Sequence, residues 1–194
     1  MHISEAVIAA REAHAEHDLM RDLEFLGQQK FEGIVRERVA QFHDFAEYKI
    51  WTEIISHDPK GIYSIVTRYP ERARLIIADG QRHCWKRFCF VKELCHLYHN
   101  HRQSFSGKAC ELEVAAREGR TAIFSPDEEL NAESFNFFTA IELMVPSSIR
   151  PEIRKMESEG GTSYQIASKL RIPKVFLETY FLGDAEYAKI SDSI

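Results

Sequence analysis

The run Arg87-Phe88-Cys89-Phe90-Val91-Lys92-Glu93-Leu94-Cys95-His96-Leu97-Tyr98-His99 sets a lysine, a glutamate and a histidine into an otherwise apolar helix. Residues four apart on a helix share a face, with Cβ atoms about 5–6 Å apart. Lys92 and His96 therefore project together, with Glu93 beside them. A glutamate three positions ahead of a histidine has little weight in a chain with nine histidines. Alone, it describes the polar edge of an amphipathic core helix. What surrounds the helix decides whether the edge carries chemistry.

Three regions separate along the chain, at 1–55, 56–150 and 151–194. From Ile3 to about Ile55 the sequence is helical in character. It has no proline, and apolar residues recur at three- and four-residue steps: Val7 and Ile8, then Leu19, Leu23 and Leu26. Gly27 and Gly33 are expected to interrupt or bend this region. A second stripe follows through Ile34, Val35, Val39, Phe42, Phe45, Ala46 and Ile50. His57-Asp58-Pro59-Lys60-Gly61 then marks a turn.

The period changes next. Gly61–Arg68 and Ala73–Ala78 are short and rich in β-branched residues, and Arg68-Tyr69-Pro70-Glu71 between them predicts an antiparallel pair. Asp79-Gly80 closes the second strand and leads into the helix of Lys92. Further on, 109–118 reads as a helix and 121–124 as a weak strand. Ser125-Pro126-Asp127-Glu128-Glu129 starts a helix that runs to Met144 and stops at Val145-Pro146. Start signals recur at Ser147-Ser148 and Thr162-Ser163, with two short helices expected at Ser163–Leu170 and Lys174–Phe181.

Composition narrows the class. The chain has 194 residues, 44% hydrophobic and 28% charged, as a soluble globular protein has. It shows neither the roughly 18-residue apolar run of a membrane span nor a signal-peptide pattern. Its net charge of -5 gives no overall pull toward nucleic acid. The four cysteines form no CxxC pair, which fits reduced thiols and a cytoplasmic location.

The helix run resembles the Arg-Phe-Thr-x-Ala-His-Glu-Leu-Gly-His signature of the ImmA/IrrE family of metallopeptidases, with Lys92 in place of the first histidine and Cys95 in place of the glycine. In the His-Glu-x-x-His pattern two imidazoles one turn apart grip zinc and the glutamate activates water. Downstream, Glu133-Ser134-Phe135-Asn136-Phe137-Phe138-Thr139-Ala140-Ile141-Glu142-Leu143-Met144-Val145-Pro146 resembles the family's second helix. Glu133 stands at the position of its third zinc ligand. Ile166-Ala167, Leu170 and Ile172-Pro173 resemble the closing helix pair. The resemblance covers about residues 61–182. It implies an α+β, mainly helical zincin-like fold with a small antiparallel sheet, residues 56–150 forming the peptidase core. It also implies a protein partner, since family members commonly cleave or bind helix-turn-helix repressors or antitoxins in phage immunity, stress response or toxin–antitoxin contexts.

The lysine leaves two arrangements open. Its ammonium has no lone pair for a metal, and its ordinary pKa of about 10.4 makes deprotonation costly. Lys92 can instead place its own charge where the metal would sit and pair with Glu93 or Glu133. In the alternative, zinc is held by His96, Glu133 and a substitute ligand. Cys95 neighbours His96 and should point about 100° away around the helix; His99 lies a turn further on, and His83 and His101 lie outside. With zinc, Glu93 is the catalytic base that takes a proton from bound water. Without it, Glu93 alone generates no hydroxide-like nucleophile at neutral pH.

Other features receive blander readings. His14 and His17 are expected on an exposed helix face, and Phe135, Phe137 and Phe138 in the core. Lys169, Arg171 and Lys174 would give the C-terminal pair a modest basic face, like that of a helix-turn-helix. Direct nucleic-acid or membrane contact is not expected. The two function classes that stand are a degenerate metallopeptidase-like protein acting on a partner repressor and a non-catalytic binding or regulatory module.

Overall fold

A central strand, β3 (Arg72–Ala78), carries the sheet, with β1 (Lys49–Ile55) parallel to it on one side and β2 (Ser64–Tyr69) antiparallel on the other. The computed structural model describes residues 3–17, 28–56, 63–99, 128–182 and 186–193. The β2–β3 pair follows the expected strands closely. Its register sets Ser64 opposite Ile77, Val66 opposite Leu75 and Arg68 opposite Ala73. These residues lie on one face because strand side chains alternate with a period of two. Leu75, Ala73 and Ile77 are buried there.

Three expectations are corrected. The sheet is mixed rather than purely antiparallel, and residues 49–55 form a strand rather than the end of a helical stripe. Lys49-Ile50-Trp51-Thr52-Glu53-Ile54-Ile55 buries only Ile50, so most of its order comes from hydrogen bonding to β3. A helix through Gly33 also continues unbroken: α2 spans Gln28–Phe42. The turn expected at 57–61, the helix at 109–118, the strand at 121–124 and His101 lie outside the described residues.

Helix α3 (His83–Tyr98) packs against β2 and β3 and is buried from Arg87 to Tyr98. Gln81 secures the turn before it by donating to the carbonyls of Tyr63 (2.8 Å) and Ala78 (3.2 Å). Helix α4 (Glu128–Met144) lies against α3, and α1 (Ile3–His17) lies against α4. The buried stripe Ala6, Val7, Ala10, Ala13 and His14 gives α1 its inward face.

After Pro146 a 3-10 turn (Ser147–Ile149) leads to α5 (Arg150–Ser158), then α6 (Ser163–Leu170) and α7 (Lys174–Phe176), which continues as a π turn over Leu177–Phe181. Thr162 caps α6 in a capping box with Gln165. A last helix, α8 (Glu186–Ser193), follows. Phe88 of α3 meets Phe137 of α4 at 5.1 Å and Phe176 of α7 at 4.7 Å, both edge-on, the geometry aromatic quadrupoles favour. Phe137 and Phe138 are buried as expected, and Phe135 packs against the same core. No helix among the described residues is long and apolar enough to cross a membrane.

Candidate functional site

The polar edge of α3 faces α4 across the core. Lys92 and Glu93 sit side by side, and His96 is one turn on from Lys92. From α4, Glu133 reaches the same point. Lys92 Nζ lies 3.1 Å from Glu93 Oε1 and 3.1 Å from Glu133 Oε2. The other Glu133 oxygen, Oε1, lies 3.1 Å from His96 Nε2. Four residues singled out by sequence thus form one continuous cluster. Side-chain exposure is 5% for Lys92, 4% for Glu93 and His96, and 14% for Glu133, so the last is the only one of the four with appreciable access to water.

Burial by itself would raise the Glu133 carboxyl. The Lys92 ammonium and His96 override it and hold the group well below the usual carboxylate range. Glu133 is therefore an anion at any ordinary pH, and the ion pair with Lys92 is a contact between two charged groups.

Three partners were not foreseen. Ser64, the first residue of β2, donates its hydroxyl to Glu93 Oε1 at 2.7 Å. Arg68, four residues on and on the same strand face, donates to the main-chain carbonyl of His96. Asn136 Nδ2 lies 2.9 Å from His96 Nδ1. A signal existed for each. Ser64, Val66 and Arg68 share a face by strand period, and Asn136 is three residues past Glu133 on one helix face. What was lacking was any indication that these faces meet α3.

The remaining candidates fall away from this point. Cys95 is fully buried, and burial pushes its thiol up, so it is a poor source of thiolate. His99 packs edge-on against Phe135 at 4.8 Å. His83 is exposed at the start of α3. Among the described residues, no group of three or more His, Cys, Asp or Glu is disposed to hold a metal ion. The basic face of the C-terminal pair is largely neutralised: Lys169 lies 3.4 Å from Glu152 and Lys174 lies 2.9 Å from Glu178.

A second buried polar cluster surrounds Glu142 of α4. Its carboxylate takes Arg150, Tyr187 Oη at 2.8 Å, Ser191 Oγ at 3.2 Å and the Ser147 amide at 3.0 Å. Arg11 approaches at 3.8 Å. Contrary to the expected exposed face, His14 is 1% exposed; burial lowers its pKa, and Glu142 partly offsets the shift.

No protein-family model, curated protein or solved structure matches this chain.

Proposed function

We propose that this chain is an ImmA/IrrE-type metallopeptidase-like protein in which the Lys92 ammonium stands in the place of zinc, and that it acts by binding a helix-turn-helix repressor or antitoxin rather than by cutting it. The observation that carries this reading is Lys92 Nζ at 3.1 Å from both Glu93 and Glu133. Glu93 and Glu133 are the residues that the resemblance assigns to water activation and to the third metal ligand. A cation without a lone pair sits between them. As arranged, the residues do not fit zinc: one donor position is an ammonium, and an ion in contact with Glu133 and His96 would stand against that charge.

Glu93 cannot substitute for the missing polarisation. Its Oε1 accepts from Ser64 and lies against the Lys92 ammonium, and neither neighbour polarises a water or a carbonyl as a metal ion would. Peptide hydrolysis at neutral pH is therefore expected to be absent or very slow. What persists is a rigid joint between α3 and α4 that holds the surrounding surface in one shape for a partner.

The test is metal content and peptidase activity of the full chain purified without a histidine tag. The expected result is substoichiometric zinc and no cleavage of a co-expressed helix-turn-helix partner. Stoichiometric zinc that vanishes in His96→Ala and Glu133→Ala would overturn the reading. In Lys92→His, restoring the imidazole should create zinc binding.

A further inference from the structure

Beside the lysine stands a second determinant, and it concerns the proton on His96 rather than the charge next to it. We infer that Asn136 is a positioning residue that locks His96 in the tautomer carrying its proton on Nε2, the nitrogen that faces Glu133. This inference rests on the reading of Lys92 above only for its consequence for metal; the tautomer stands on its own geometry.

The argument begins at Ala132. Asn136 is fully buried on α4, and its Nδ2 lies 2.9 Å from the carbonyl oxygen of Ala132, one turn back on the same helix. A carbonyl oxygen only accepts, so the amide atom facing it must be the NH2 group. Turning the amide over would set its own oxygen against that carbonyl. The same Nδ2 lies 2.9 Å from His96 Nδ1. An amide NH2 group offers hydrogens and no lone pair, so it donates to whichever acceptor it meets. His96 Nδ1 therefore accepts.

In a neutral imidazole one nitrogen donates and the other accepts. With Nδ1 as acceptor, Nε2 carries the hydrogen, and the group 3.1 Å from it is Glu133 Oε1, a carboxylate oxygen that only accepts. Along the line from Ala132 through Asn136 and His96 to Glu133 each donor then faces an acceptor, the last step, Nε2 to Glu133, being a 3.1 Å charge contact and not a hydrogen bond. The opposite tautomer would set two N–H groups against each other at Asn136 and two acceptors at Glu133.

Metal ligation asks for the reverse. A histidine that binds through Nε2 presents a lone pair there and donates from Nδ1 to a carboxylate, a carbonyl or water; such outer partners change metal affinity about 10- to 100-fold. Asn136 presents a donor where that acceptor is needed. The site is thus set against metal twice, once by the Lys92 charge and once by the hydrogen-bond polarity at His96.

The experiment uses the 15N-labelled full chain. Two-bond 1H–15N correlation spectra of the histidine rings are recorded at about pH 8, above the ordinary imidazole value, with His96 assigned by its loss in His96→Asn. In the wild type the proton should be on Nε2. In a Glu133→Gln background, whose amide can accept or donate at Nε2, Asn136→Asp replaces the donor with an acceptor and should move the proton to Nδ1; Asn136→Ala only removes the donor and should give both tautomers. A proton on Nδ1 in the wild type, or a tautomer unchanged in both variants, overturns the inference. Zinc added to Lys92→His and to Lys92→His/Asn136→Asp measures the consequence, with at least about tenfold tighter binding expected in the second. Equal affinity would overturn the role of Asn136 in excluding metal. If neither variant binds zinc, the Lys92 reading and that role both fall, while the proton position still decides the tautomer.

Discussion

Replacing Lys92 with methionine tests the ion-pair cluster most directly. Methionine keeps the length and the apolar stem and removes only the charge. At an effective dielectric of about 20, a pair of unit charges 3.1 Å apart attracts by about 5 kcal/mol. Lys92 makes two such contacts. In the wild type much of this is offset by the desolvation of the ammonium itself. In the variant that offset changes sides: Glu93 and Glu133 remain buried, retain their own desolvation cost and lose the cation between them. Breaking a buried pair from one side costs about 3–5 kcal/mol, and two dependent carboxylates favour the upper end. For a chain of 194 residues this is a fall in Tm of about 6–20 °C, at roughly 2–4 °C per kcal/mol. Urea unfolding at pH 7 should show a lower midpoint with an unchanged slope. Removing Glu133 as well, in Lys92→Met/Glu133→Leu, should recover part of the loss, because Glu93 is then the one carboxylate of the two left buried without its cation. A Lys92→Met protein within 0.5 kcal/mol of wild type, or more stable than it, would refute the reasoning; that ~0.5 kcal/mol is the usual scale of a surface substitution.

Other consequences can be measured in the same way. The folded Glu133 carboxyl lies below its unfolded value of about 4.3, so its contribution is present above that pH and is lost as pH falls below it; Glu133→Gln should flatten the acid limb of stability against pH, and an unchanged limb would count against the pairing. The folded His14 lies below its unfolded value of about 6.5, so stability is retained above that pH and lost as pH falls through the window beneath it. In His14→Leu the difference in unfolding free energy between pH 7.5 and 5.5 should therefore shrink, and equal differences in both proteins would assign the effect elsewhere. Phe88→Ala, which removes the ring that joins α3 to Phe137 and Phe176, should cost about 3–5 kcal/mol in urea unfolding; a cost below about 1 kcal/mol would show that this aromatic contact is not central to the core.

What could be read from the sequence followed the range of the forces involved. Helix α6 lies where the local signal at Thr162 sets it, since a cap acts on the turn beside it. The β2–β3 pair was legible because its turn and its two strands are contiguous in the chain. Strand β1 was not, because its partner β3 begins seventeen residues after β1 ends and its own apolar residues fit a helical spacing equally well. His14 was placed on the wrong face for a similar reason: the group that faces it, Glu142, is far away in sequence. The α3 motif and Glu133 were found by spacing within single helices. That Ser64 and Asn136 complete the cluster depends on how β2 and α4 dock on α3, and no local pattern records that.

The two buried carboxylates of α4 explain why only one of them marks a candidate site. Glu133 and Glu142 are nine residues apart, which at about 100° per residue puts them on opposite sides of the helix and about 13 Å apart along it. Glu133 faces α3; Glu142 faces α1, α5 and α8. At Glu142 the surrounding guanidinium, phenol, hydroxyl and amide groups saturate a carboxylate that is 0% exposed. Their effect is to fasten α1 and α8 to the middle of the chain. Glu133 is different. It keeps 14% of its side chain exposed, and one of its oxygens meets an imidazole instead of a fixed cation. A helix anchored on one side by a saturated ion pair can hold the other side in place while that side meets a ligand or a partner. On this account substitutions at Glu142 act on folding alone, whereas substitutions at Glu133 act on folding and, under the function proposed above, on partner binding.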